Sequence, residues 1–179
     1  MRRAAILAMS CLLSACLADP VPDAEIAALP DDGVHNGPTH RGGQPCLLCH
    51  SDEGGRHPAF SVAGTVYQKL GNKVPMEGVV VHVTDATGAS QDLVSNCAGN
   101  FYMDETVWTP TFPFWVSLTN PADGTSIPMM TKVGRDGACA MCHADPAGAG
   151  SPGHVYLVKD PNAPNATPPP QSCGGFGGR

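Results

Sequence analysis

The sequence predicts a mainly β protein, a small antiparallel β-sandwich flanked by two short loop or helix segments. Three observations carry that expectation. Between residues 60 and 133, short runs of alternating apolar residues recur at near-regular spacing with turn residues between them. The same stretch lacks the helical crossovers of a dozen residues that a parallel α/β sheet needs. On either side of it stands one five-residue pattern, Cys-x-x-Cys-His, as "CLLCH" at 46–50 and "CAMCH" at 139–143.

The chain has 179 residues, 42 % of them apolar, enough for one packed domain with appendages or two very small ones. Arg2 and Arg3 precede an apolar run too short to span a bilayer, so residues 1–15 read as an export signal. The stretch Leu13-Ser14-Ala15-Cys16 resembles a bacterial lipoprotein signal, which implies cleavage before Cys16 and lipidation of that cysteine. Leu17 in the next place is compatible with transfer to an outer membrane; an ordinary cleaved signal is the alternative. Residues 16–36, rich in Pro, Asp and Gly without an apolar period, are expected to be a flexible tether, and residues 37–59 the segment that holds the first pentad.

Within 60–133, Phe60, Val62, Gly64 and Val66 alternate with other residues, and Val79, Val81 and Val83 alternate with Val80, His82 and Thr84. "SQDLVSN", Phe101 to Met103, "PFWVSLT" and "SIPMMTKV" continue the series, with turns at "DATG", "AGN" and "NPADG". Pro110, Pro113 and Pro128 suit strand ends or edges. The stretches "FSVAGTVY", "PMEGVVVHVTDATG", "SNCAGNFY" and "PFWVSLT" together resemble the carboxypeptidase regulatory-like domain. That resemblance implies a transthyretin-like sandwich over 60–133, in a family of structural or interaction modules. Residues 134–158 then hold the second pentad, and 159–179 form a Pro- and Gly-rich tail.

Two cysteines three apart followed directly by histidine form the attachment signature of c-type haem. On one helical turn, positions i, i+3 and i+4 share a face, so both sulfurs reach the porphyrin edge while the imidazole lies beneath the iron. The expectation is therefore two covalently attached haems, with thioethers at Cys46, Cys49, Cys139 and Cys142 and proximal iron ligands at His50 and His143. Three rivals remain: a four-thiolate zinc site, which leaves both histidines without a role; a thioredoxin-like redox pair, which expects a βαβ context; and structural disulfides in an exported chain.

The sixth iron ligand sets much of a haem's potential. His154, eleven residues after His143, is a candidate for the second haem; His40, six before Cys46, and His57, seven after His50, are candidates for the first. His82 reads as a solvated strand histidine and His35 as an exposed one. Met129 and Met130 read as strand-end residues.

The formal charge is −6 without a Lys/Arg cluster, so a nucleic-acid partner is not expected. Two pentads around such a sandwich in an exported chain resemble the exported multihaem cytochromes of bacteria that contain a carboxypeptidase regulatory-like domain, across 37–157. The resemblance implies electron transfer with redox partner proteins such as other cytochromes, in the periplasm or at the outer membrane. Two other classes stay open: a small peroxidase or reductase with one open axial position, and a binding module. Whether Cys97 and Cys173 pair is left open by the sequence.

Overall fold

A computed structural model describes residues 20–160, 162, 163 and 173. The export signal, Cys16 and most of the tail lie outside the described residues. Seven strands make the body: β1 (Phe60–Lys69), β2 (Val80–Thr84), β3 (Ser90–Val94), β4 (Asn100–Asp104), β5 (Trp115–Thr119), β6 (Ser126–Pro128) and β7 (Val155–Val158). They form a three-stranded sheet in the order β4-β1-β7 and a four-stranded sheet in the order β3-β2-β5-β6. The protein is thus mainly β, with two sheets and few helices.

The alternation in β2 drives the second sheet. Val81 and Val83 are fully buried, while His82 points to the other face between Asp92 of β3 and Thr119 of β5, at 2.6 and 3.1 Å. The inner faces of both sheets share one core, in which Val62, Val66, Phe101 and Leu157 meet Val81, Val83, Leu93, Phe114 and Leu118. Burying one such side chain contributes roughly 1.5–3 kcal/mol. Asp85 closes the β2–β3 turn: Oδ1 accepts from the Thr87 amide, the Thr87 hydroxyl and the Ala89 amide, and Oδ2 from the Thr111 amide. These donors, the Thr87 hydroxyl first, hold its carboxyl below the ordinary value of 3.8.

Three features depart from the expectation. Strand β1 does not alternate in burial: Ala63, Thr65, Tyr67 and Gln68 are buried along with Val62 and Val66, because the pentad segments cover the face turned away from the core. The sheets also recruit β7 from 134–158, and β7 runs parallel to β1, so the first sheet is mixed rather than antiparallel. Finally, the expected tether contains a helix, α1 (Pro20–Ala28). Its prolines fall in the first turn, where the ring costs no hydrogen bond; Asp23 complements the helix N-terminus, and its alanines favour the helix. Pro22, Ile26 and Leu29 are its less exposed side. No helix among the described residues is long and apolar enough to cross a membrane.

Candidate functional site

Both pentads dock on β1. For the first, the Phe60 amide donates to the His50 carbonyl at 2.9 Å and the Gly43 amide to the Thr65 hydroxyl at 2.8 Å. Thr65 in turn donates to Asn100 Oδ1, and Asn100 Nδ2 reaches the carbonyls of Pro38 and His40 at 3.3 and 3.0 Å. Gly43 takes φ of +79° and lies so close to the Tyr67 hydroxyl that a Cβ would come within 2.6 Å of it. For the second, the Ala63 amide donates to the Gly137 carbonyl at 3.0 Å, Ala138 bridges to Ala63, and Cys139 packs over Gly64.

Each pentad is followed by a Gly-x-Val-Tyr stretch, within β1 in one case and running into β7 in the other. Gly64-Thr65-Val66-Tyr67 follows the first and Gly153-His154-Val155-Tyr156 the second, and β1 and β7 pair with Val66 beside Val155 and Tyr67 beside Tyr156. The sheet therefore aligns two copies of one pentad-plus-strand unit, with most of the strands inserted between them. The sequence carried this signal in its repeated Gly-x-Val-Tyr.

Locally the pentads fold alike. The first is a short helix, α2 (Cys46–Cys49), and the second a single 3₁₀ turn over Cys139–Met141. In each, the histidine amide donates to the carbonyl of the first cysteine at 2.8 Å, which is the i, i+4 spacing that sets cysteine and histidine on one face. Their intervening residues, Leu47, Leu48 and Met141, line with Pro22 and Ala138 a cleft of about 270 Å³, so the two pentads border one space.

The two histidines are oriented by the same device. His50 Nδ1 lies 2.8 Å from the Pro58 carbonyl, and His143 Nδ1 lies 2.9 Å from the Gly153 carbonyl. A carbonyl only accepts, so Nδ1 carries the proton in each ring and Nε2 keeps its lone pair. This is the tautomer and support that a metal-ligating imidazole takes from its surroundings. The His50 ring is further fixed by stacking on Phe60 at 4.4 Å, with Tyr102 stacked behind Phe60 at 4.7 Å.

Of the distal candidates, His40 is the one with a ring contact to a pentad histidine: its ring centre is 5.9 Å from that of His50, with planes 55° apart, and its Nδ1 contacts the Gly37 carbonyl. His57 is exposed and precedes Pro58, the residue on the Nδ1 side of His50. His154 follows Gly153, on the Nδ1 side of His143, and its ring stacks on Tyr67 at 4.7 Å. It lies 3.3 Å from Asp145 without a hydrogen bond; burial holds its pKa below 6.5, against the opposing pull of Asp145. His35 and Met130 are exposed.

The pentad cysteines are free thiols. Burial pushes Cys46 up to about 11, and burial together with nearby Cys46 pushes Cys139 up to about 12. Reactive redox pairs need the reverse shift. Among the described residues, no three His, Cys, Asp or Glu side chains gather as a metal-binding group, so the four thiols do not converge on the tetrahedral site that the zinc reading requires. Cys97 and Cys173 form a disulfide, joining the β3–β4 turn to the tail across a sequence separation of 76. No known protein family, no curated protein and no solved structure matches the chain.

Proposed function

We propose that the chain is an exported dihaem c-type cytochrome that relays electrons between redox proteins. The observation that carries the reading is the duplicated histidine support: two Cys-x-x-Cys-His turns, each with its imidazole Nδ1 tied to a backbone carbonyl and Nε2 left as a ligand atom. Cys46 and Cys49, and Cys139 and Cys142, would hold the porphyrins by thioethers, with His50 and His143 as proximal ligands. When bound, the haem iron supplies reversible one-electron chemistry between Fe(II) and Fe(III).

The chain's part is to orient and to enclose. Pro58 and Gly153 fix the imidazole tautomers, Phe60 and Tyr102 hold the His50 ring against rotation, and β1 carries both units on one strand. The disulfide fits an oxidising compartment and so supports export; the lipid anchor at Cys16 belongs to the same reading. The reading keeps the resemblance of residues 60–133 to a carboxypeptidase regulatory-like sandwich as part of the proposal, with two sheets whose exposed edges suit the docking of a partner protein.

The test is a pyridine haemochrome spectrum and intact mass on protein matured in a host that attaches c-type haem, beside metal analysis. Two covalent haems per chain are expected, and one after Cys46→Ser/Cys49→Ser. A haem-free chain with stoichiometric zinc overturns the reading.

A further inference from the structure

We infer that the two haems of this cytochrome are inequivalent: His40 closes the first opposite His50, while the second, for which the described residues offer no such imidazole, keeps a sixth position open to a small neutral ligand such as a diatomic gas. The inference rests on the dihaem reading above and deepens it.

The first half follows from a ring pair. Two metal–imidazole bonds of about 2.0–2.1 Å, plus the distance from each nitrogen to its ring centre, put the centres of two axial imidazoles roughly 6 Å apart. The centres of His40 and His50 are 5.9 Å apart. Each ring has Nδ1 engaged by a carbonyl, of Gly37 and of Pro58, so Nε2 is the free nitrogen in both. Asn100 holds the His40 backbone in place through its carbonyl, and the Gly37 backbone steadies the ring at Nδ1.

The second half follows from the repeat. The residue six places before the first cysteine is His40 in one unit and Val133 in the other. Val133 exchanges hydrogen bonds with Phe114 at 2.9 and 3.0 Å and packs on the core, so at that offset the second pentad is preceded by an aliphatic side chain committed to the sandwich rather than by an imidazole. His154 does not replace it. Its backbone adjoins the carbonyl that binds His143 Nδ1, whereas a sixth ligand must lie beyond Nε2, on the other side of the porphyrin. His154 instead stacks on Tyr67. His82 is held between Asp92 and Thr119 on the other sheet. Met141, Cys142 and Ala144 around the second pentad are exposed, so a small molecule reaches it from solvent.

The experiment uses the matured protein, its haems first counted by pyridine haemochrome, then reduced and titrated with carbon monoxide while the Soret band is followed. The wild type is expected to bind one carbon monoxide per chain, His40→Ala two, and His154→Ala still one. His40→Met, which retains a ligand, is expected to raise the potential of one haem and leave the other unchanged, and it serves if the alanine variant does not fold. A wild type that binds none overturns the open second site, and a rise to one in His154→Ala would then identify His154 as its ligand. A wild type that binds two, or a His40→Ala protein that still binds one, overturns the role of His40. A haem-free chain is a separate result, which removes the dihaem reading itself.

Discussion

The Cys97–Cys173 disulfide is the most consequential covalent constraint among the described residues, and the effect of deleting it follows from the loop it closes. With a separation of 76 residues, the loop-entropy relation gives a loss of about 4.5 kcal/mol at 25 °C for Cys97→Ser/Cys173→Ser. Against a total stability of roughly 5–15 kcal/mol for a domain, such a loss leaves the variant close to its threshold. Equilibrium urea unfolding of the oxidised protein and the double variant measures it, with the slope compared to verify that the unfolded states remain comparable. The turn that carries Cys97 is also the turn whose Asn96 and Asn100 side chains grip the Pro38 carbonyl, at 2.6 and 3.3 Å. Under the dihaem reading, loosening it is therefore expected to lower the low-spin fraction of the haem at the first pentad before global unfolding. A loss below about 1 kcal/mol with an unchanged slope would refute the reasoning, since the loop would then contribute little entropy to the unfolded chain.

Two further predictions concern the frame. A Cβ at Gly137 would lie 1.9 Å from the Ser61 carbonyl oxygen, backbone against backbone. Gly137→Ala is therefore expected to cost about 1–3 kcal/mol by overpacking and to free the second pentad from β1, seen as faster amide exchange at Ala63. Gly134→Ala, where nothing lies within 4 Å, should stay within about 0.5 kcal/mol of wild type. Asp85 has a depressed pKa, so its stabilisation is fully present above the unfolded value of 3.8 and is lost as pH falls through the lower folded value. Asp85→Asn sets its amide group against the Thr111 N–H in one orientation and against the Thr87 and Ala89 N–H groups in the other. The variant should thus be less stable at pH 7, by a difference that holds down to about pH 4 and shrinks below it; denaturation curves at pH 7, 4 and 3 measure this, and a difference that widens in acid would contradict it.

The strands of the inserted sheets were legible because burial on one face imposes a period of two, as Val79, Val81 and Val83 against His82 display. The pentads were legible as motifs, and their helical spacing survives as the hydrogen bond from histidine to first cysteine. Three things were not. Strand β7 is a short apolar run whose partner is remote in sequence, and no local period distinguishes parallel pairing. Helix α1 lacks an apolar period because only Pro22, Ile26 and Leu29 turn inward, so its local composition is that of a tether. His40, His57 and His154 all lay within reach of a pentad by sequence distance. What separates them is which side of the ring each approaches, and that depends on the carbonyls of Pro58 and Gly153, which side-chain identity does not reveal.

The parallel pairing of β1 with β7 also bears on how such a protein is made. The first sheet cannot close until the chain has been synthesised past the second pentad, because the partner of Val66 is Val155. Pairings between such remote segments form slowly. Cys139, once packed over Gly64 and beside Phe101, is poorly accessible to any enzyme that would modify it. Under the dihaem reading, the late closure of this sheet is a kinetic window: it keeps both pentads open to the attachment machinery during export, and the strand that completes the fold is the one that ends the opportunity.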